Sequence, residues 1–99
     1  MQNDPMYQHL AGEAGKITWQ ELQPHFARGV LVAVSETLDL IEVATRFAQD
    51  DRDAVSGWSD LGQVVKVSDE HARTWSLSNP LLNAVVVAPW VLVQPPRRH

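Results

Sequence analysis

The longest apolar run in this chain is Ala84-Val85-Val86-Val87-Ala88-Pro89-Trp90-Val91-Leu92-Val93, uncharged and rich in β-branched residues. At about 10 residues it is roughly half of what a membrane-spanning helix needs, and its composition predicts strand. Left exposed, such a run pairs with copies of itself, so the fold must bury it in a sheet or in an oligomer. Two shorter runs, Val30 to Val34 and Gln63 to Val67, predict further strands. Between them the period changes. Leu40, Ala44, Phe47 and Ala48 line one side of a helix whose other side carries Asp39, Glu42, Arg46 and Gln49 or Asp50. This is the clearest amphipathic pattern in the chain. Trp19, Leu22 and Phe26 mark a second helical face, Ala54, Val55, Trp58 and Leu61 a third, and Ala72 and Trp75 a fourth.

Polar punctuation sets the ends of these elements. Thr18 followed by Glu21 predicts a capping box. Pro24 cannot donate to the carbonyl of Gln20, so the first helix should kink or restart there. Gly29 and Gly62 suit helix C-termini. Ser35, Glu36 and Thr37 offer oxygens to start the second helix, Asp51 the third and Ser68 the fourth. Ser78-Asn79-Pro80 stops the last helix.

The resulting prediction is an α+β fold in the order α-β-α-α-β-α-β. A flexible arm spans residues 1–15, a single domain 16–94 and a tail 95–99. The sheet should have three strands with about four helices packed on it, and the long apolar C-terminal strand should be central. Pro89 cannot donate to a ladder, so the strand should bend at Ala88-Pro89. Residues 84–88 would then pair within the domain and residues 90–94 elsewhere, in another subunit. Gly29 to Glu36 also resembles Gly62 to Asp69: each reads glycine, strand, valine-serine, acidic residue.

Several of these segments together resemble a known family. Thr18-Trp19-Gln20-Glu21-Leu22, Phe26-Ala27-Arg28-Gly29, Leu38-Asp39-Leu40 with Glu42-Val43-Ala44, and above all Val86 to Gln94 are similar to a small bacterial family catalogued as a domain of unknown function, number 2288. The resemblance covers roughly residues 10–94, and Pro24 departs from the pattern. It implies a bacterial, proteobacterial, cytosolic protein. It implies no activity and supplies no functional residues.

Composition narrows the functional classes. With 44% hydrophobic residues and four tryptophans, a chain of 99 residues can build one core without metals or disulfides. The absence of cysteine removes thiolate zinc sites and cysteine nucleophiles and fits a reducing compartment. A net charge of -4 disfavours nucleic acid and anionic membranes as partners. The basic cluster Arg97-Arg98-His99 sits at the end of the tail, where it serves solubility. Met1 to Pro5 has neither a positive n-region nor an apolar segment, so a cytoplasmic location is expected.

Candidate chemistry is sparse. Asp39, Glu42, Asp50, Asp51 and Asp53 could hold a hard cation, but they lack the alternating spacing and glycine of a calcium loop. A solvated helix face plus a cap accounts for them. His9, His25, His71 and His99 include no i,i+4 pair for a helical metal site. No serine sits in a nucleophile-elbow context. The tryptophans suit a core better than a stacking platform, with Trp90 the exception, because it follows the strand-breaking proline. No catalytic residue and no cofactor is therefore expected. The leading expectation is a small cytosolic interaction module, not an enzyme, self-associating through the C-terminal strand at Pro89, Trp90 and Leu92. The alternative is a small-molecule or divalent-metal-binding protein using the acidic face from Asp39 to Asp53.

Overall fold

The apolar C-terminal run is not one strand but a hairpin, and the sheet grows outward from it. The computed structural model describes residues 4–95. Its elements, in chain order, are α1 (Pro5–Glu13), β1 (Gly15–Thr18), α2 (Trp19–Ala27), β2 (Leu31–Val34), α3 (Leu40–Ala48), α4 (Arg52–Asp60), β3 (Val64–Lys66), α5 (Asp69–Ser78), β4 (Leu81–Val87) and β5 (Trp90–Gln94). The five strands form one mixed sheet in the order β1-β4-β5-β2-β3. β2 and β5 run parallel, and the other neighbours run antiparallel.

Both halves of the apolar run therefore pair within the chain. β4 and β5 meet in register from Val87↔Trp90 to Asn83↔Gln94, around a turn that contains a cis Ala88-Pro89 bond. β5 is the central strand, as its composition predicts, because β2 occupies its second edge. The expected pairing of residues 90–94 with another subunit is overturned, since neither edge of that strand is open. Leu92, expected at an interface, is fully buried instead.

The α+β class holds, but the expected three strands and four helices become five of each among the described residues. One extra strand comes from the hairpin. The other, β1, is only four residues long and runs straight into the α2 cap at Thr18, so it does not announce itself, and it is its pairing with Leu81 to Ala84 that makes it a strand. The extra helix lies where a flexible arm was expected. Asp4 caps it by accepting from the Met6 amide at 2.8 Å, Pro5 takes the first turn, and Leu10 is buried against α3. The expected tail, residues 95–99 with Arg97-Arg98-His99, lies outside the described residues except at Pro95.

Helices cover both faces of the sheet. α1, α3 and α4 send Leu10, Val43, Ala44 and Trp58 onto Val32, Val85 and Leu92. α2 and α5 send Trp19, Leu22 and Trp75 onto Leu31, Leu82, Val91 and Val93 on the other face. Strand alternation sorts these residues, with neighbours such as Val91 and Leu92 entering opposite cores. Trp19 donates its indole N–H to the Ser76 hydroxyl at 3.0 Å and packs 5.5 Å from the Trp75 ring.

The capping box of Thr18 and Glu21 is present, and Asp51 and Ser68 cap α4 and α5 as read. α2 runs through Pro24 without restarting. Gln20 and Pro24 are both exposed, so the carbonyl that loses its donor is open to water. Gly29 and Gly62, with φ of 74° and 72°, follow their helices in the left-handed region. In each case the next two amides turn back onto the last turn: Gly29 to Phe26 and Val30 to His25, Gly62 to Ser59 and Gln63 to Trp58. The likeness of the two segments ends there. Leu31 and Val64 stand at equivalent positions yet enter opposite cores.

Candidate functional site

α3 organises the surface as well as the core. Its apolar side packs on the sheet, and a cleft opens at each of its ends.

The cleft at the C-terminal end of α3 encloses about 410 Å³ between Arg46 and Phe47 of α3, the turn from Asp50 to Arg52, Val55, Ser56 and Ser59 of α4, and Trp90. The turn is shaped by Asp50, in the left-handed region at φ 54°. The amides of Asp50 and Asp51 bond back to the carbonyls of Phe47 and Arg46, which reverses the chain into α4. Phe47, Val55 and Trp90 are half-buried and give the cleft an apolar interior. Lys66 places its ammonium 5.7 Å from the Trp90 ring, a cation–π contact. Charged pairs form the rim: Arg46 with Asp51 at 3.2 Å and Arg52 with Asp50 at 3.6 Å. Pro89 and Ala88 are exposed at the hairpin tip next to Trp90.

The second cleft, about 640 Å³, lies at the N-terminal end of α3. Asp39, Leu40 and Ile41 form one wall, and Ala14 with Lys16, Asn83 and Gln94 the other. Asp39, not Ser35, caps α3 by accepting from the Ile41 amide at 3.0 Å. Its other oxygen accepts from the Tyr7 hydroxyl at 2.6 Å. That hydrogen bond, helped by desolvation and by the negative charge of Asp39 and Glu42, raises the Tyr7 pKa above its ordinary value. The bond needs a protonated phenol. Its stabilisation is complete below the ordinary tyrosine value, about 10, and is lost as pH rises through the raised one. Ultraviolet titration of the phenolate should show a midpoint above that of a free tyrosine, and Asp39→Ala should lower it toward the ordinary value.

The residues nominated for a metal are pulled apart. Asp39 serves as a cap and a tyrosine acceptor. Glu42 lies 3.4 Å from Arg46. Asp51 caps α4 and pairs with Arg46, and Asp50 pairs with Arg52. Among the described residues, no three histidine or acidic side chains converge on a point that would hold a metal ion. Of the nominated interface residues, Pro89 and Trp90 do lie together beside the first cleft, while Leu92 belongs to the core. Sequence reading missed Lys16, Asn83 and Gln94. The available signal was Asn83, a carboxamide inside an otherwise apolar strand. No described helix is long and apolar enough to cross a membrane.

Comparison with known proteins adds kinship. A family model described as "Protein of unknown function (DUF2288)" matches residues 5–95. The chain is also similar to the NMR solution structure of PA1075 from Pseudomonas aeruginosa, with 45% identity and a TM-score of 0.84, over 98% of this chain and 90% of that one. No curated protein matches it.

Proposed function

The chain belongs to the DUF2288 family, whose function is unknown, and from that premise we propose that it is a non-catalytic interaction module docking with a second copy of itself through the Trp90 cleft. The observation that carries this reading is the placement of an exposed apolar tip, Ala88-Pro89, beside an apolar cleft of about 410 Å³. A two-fold axis there sets each tip into the partner's cleft, an isologous contact. The rim supports a like partner, because Arg46, Arg52, Asp50 and Asp51 supply both signs of charge. Tryptophan and arginine are also the residue types that anchor interfaces. A bacterial, cytoplasmic setting is part of the proposal. It fits the source of the similar structure and a chain without cysteine.

Light scattering behind size exclusion, over a range of concentrations, tests this. The wild type should dimerise, and Arg52→Glu should weaken the dimer about tenfold by setting like charges against each other. The Arg52 side chain is 87% exposed, so this variant should fold normally. A wild type that stays monomeric at millimolar concentration contradicts the proposal.

A further inference from the structure

Gln94 is buried to 4% exposure at the end of the central strand, where a polar side chain needs a reason. Its nitrogen donates to the carbonyls of Ser35 at 2.8 Å and Leu38 at 2.7 Å, which uses both amide protons and fixes the orientation of the group. Its oxygen accepts from no donor among the described residues. No fully buried side-chain oxygen among the described residues lacks a partner, so this oxygen keeps some exposure, and Gln94 lines the cleft. The adjoining strands continue the row. Lys16 pairs with Asn83 and Asn83 with Gln94 in register, so three polar side chains stand side by side on one face of β1, β4 and β5. Among the described residues the Lys16 ammonium has no ion pair, and the Asn83 carboxamide makes no hydrogen bond. Asp39 faces them, held by Tyr7 and the Ile41 amide.

We propose that this cleft binds a free α-amino acid. Its carboxylate meets the Lys16 ammonium and the Asn83 amide protons. Its ammonium donates to the Gln94 oxygen and to Asp39, whose carboxylate has lone pairs beyond the two already used. A plain anion would face Asp39 and a plain cation would face Lys16, whereas a zwitterion satisfies both. Asp39 already caps α3, so the helix end itself is not the anion site. A volume of about 640 Å³ leaves room for a side chain.

Amide ¹H–¹⁵N spectra titrated with L-alanine and L-glutamine test the assignment, with acetate and methylammonium as half-ligands. At least one amino acid should shift the Lys16, Ile41, Asn83 and Gln94 amides saturably, and each half-ligand should bind at least about tenfold more weakly. Lys16→Met, at an exposed position, and Asn83→Ala should each weaken binding about tenfold. Arg73→Gln, exposed on α5 across the sheet, should leave it unchanged. The proposal is overturned if neither amino acid gives a saturable shift, if acetate alone binds as well, or if Lys16→Met binds normally.

Discussion

Leu92→Ala is expected to lower the unfolding free energy by about 3 kcal/mol, within the range for a fully buried leucine whose cavity cannot collapse. Leu92 sits in the middle of the sheet, in register with Val85 on one side and Val32 on the other. All three side chains join Val43 and Ala44 of α3 in one core, and Leu92 has 0% exposure. Strands on both sides hold the backbone in place, so the space left by truncation stays open. For a domain of this size the loss corresponds to a fall in Tm of roughly 15 °C. Urea denaturation measures it directly. A loss under about 1 kcal/mol would mean that Leu92 is not enclosed and would reopen its expected role at an interface.

The larger effect should come from the opposite face. Trp19→Ala is expected to cost about 4 kcal/mol, toward the upper part of the range for a buried aromatic. Trp19 is the first residue of α2 and is 2% exposed. Its ring packs 5.6 Å from Phe26 and 5.5 Å from Trp75, so one side chain joins both helices of that layer to Leu22 and Leu82 beneath. Truncation also leaves the Ser76 hydroxyl without its indole donor. Trp19→Phe should be much milder, about 1–2 kcal/mol, since it keeps most of the ring and loses one hydrogen bond. If the alanine variant were no worse than the phenylalanine one, the packing of α2 on α5 would be wrong.

Much of this core can be read from periodicity because burial and period coincide. Leu40 and Ala44 point inward from a strongly two-sided helix, and the stretch from Val91 to Val93 is apolar because both faces of β5 are covered. The hairpin is harder to see. Ala88-Pro89 signals a break, but sequence alone does not say whether the chain bends onward or folds back on itself. β1 is invisible for a related reason. Gly15 to Thr18 is too short to show a strand period before the α2 cap begins, and its pairing with β4 makes it one. The acidic residues do not gather on one point: Asp39 and Asp51 begin two different helices, as the reading of a solvated face plus a cap allows, and Asp39 also accepts from Tyr7 of α1. The polar row of Lys16, Asn83 and Gln94 comes from three separate places in the chain, so no local window contains it.

The measurement that tests the central reading most directly is an isotope-filtered NOE experiment on a mixture of labelled and unlabelled protein. Docking of each hairpin tip in the partner's cleft predicts intermolecular contacts from Pro89 to Val55 and Phe47. Filtered spectra without such contacts, from a protein tumbling as a monomer at millimolar concentration, would contradict it.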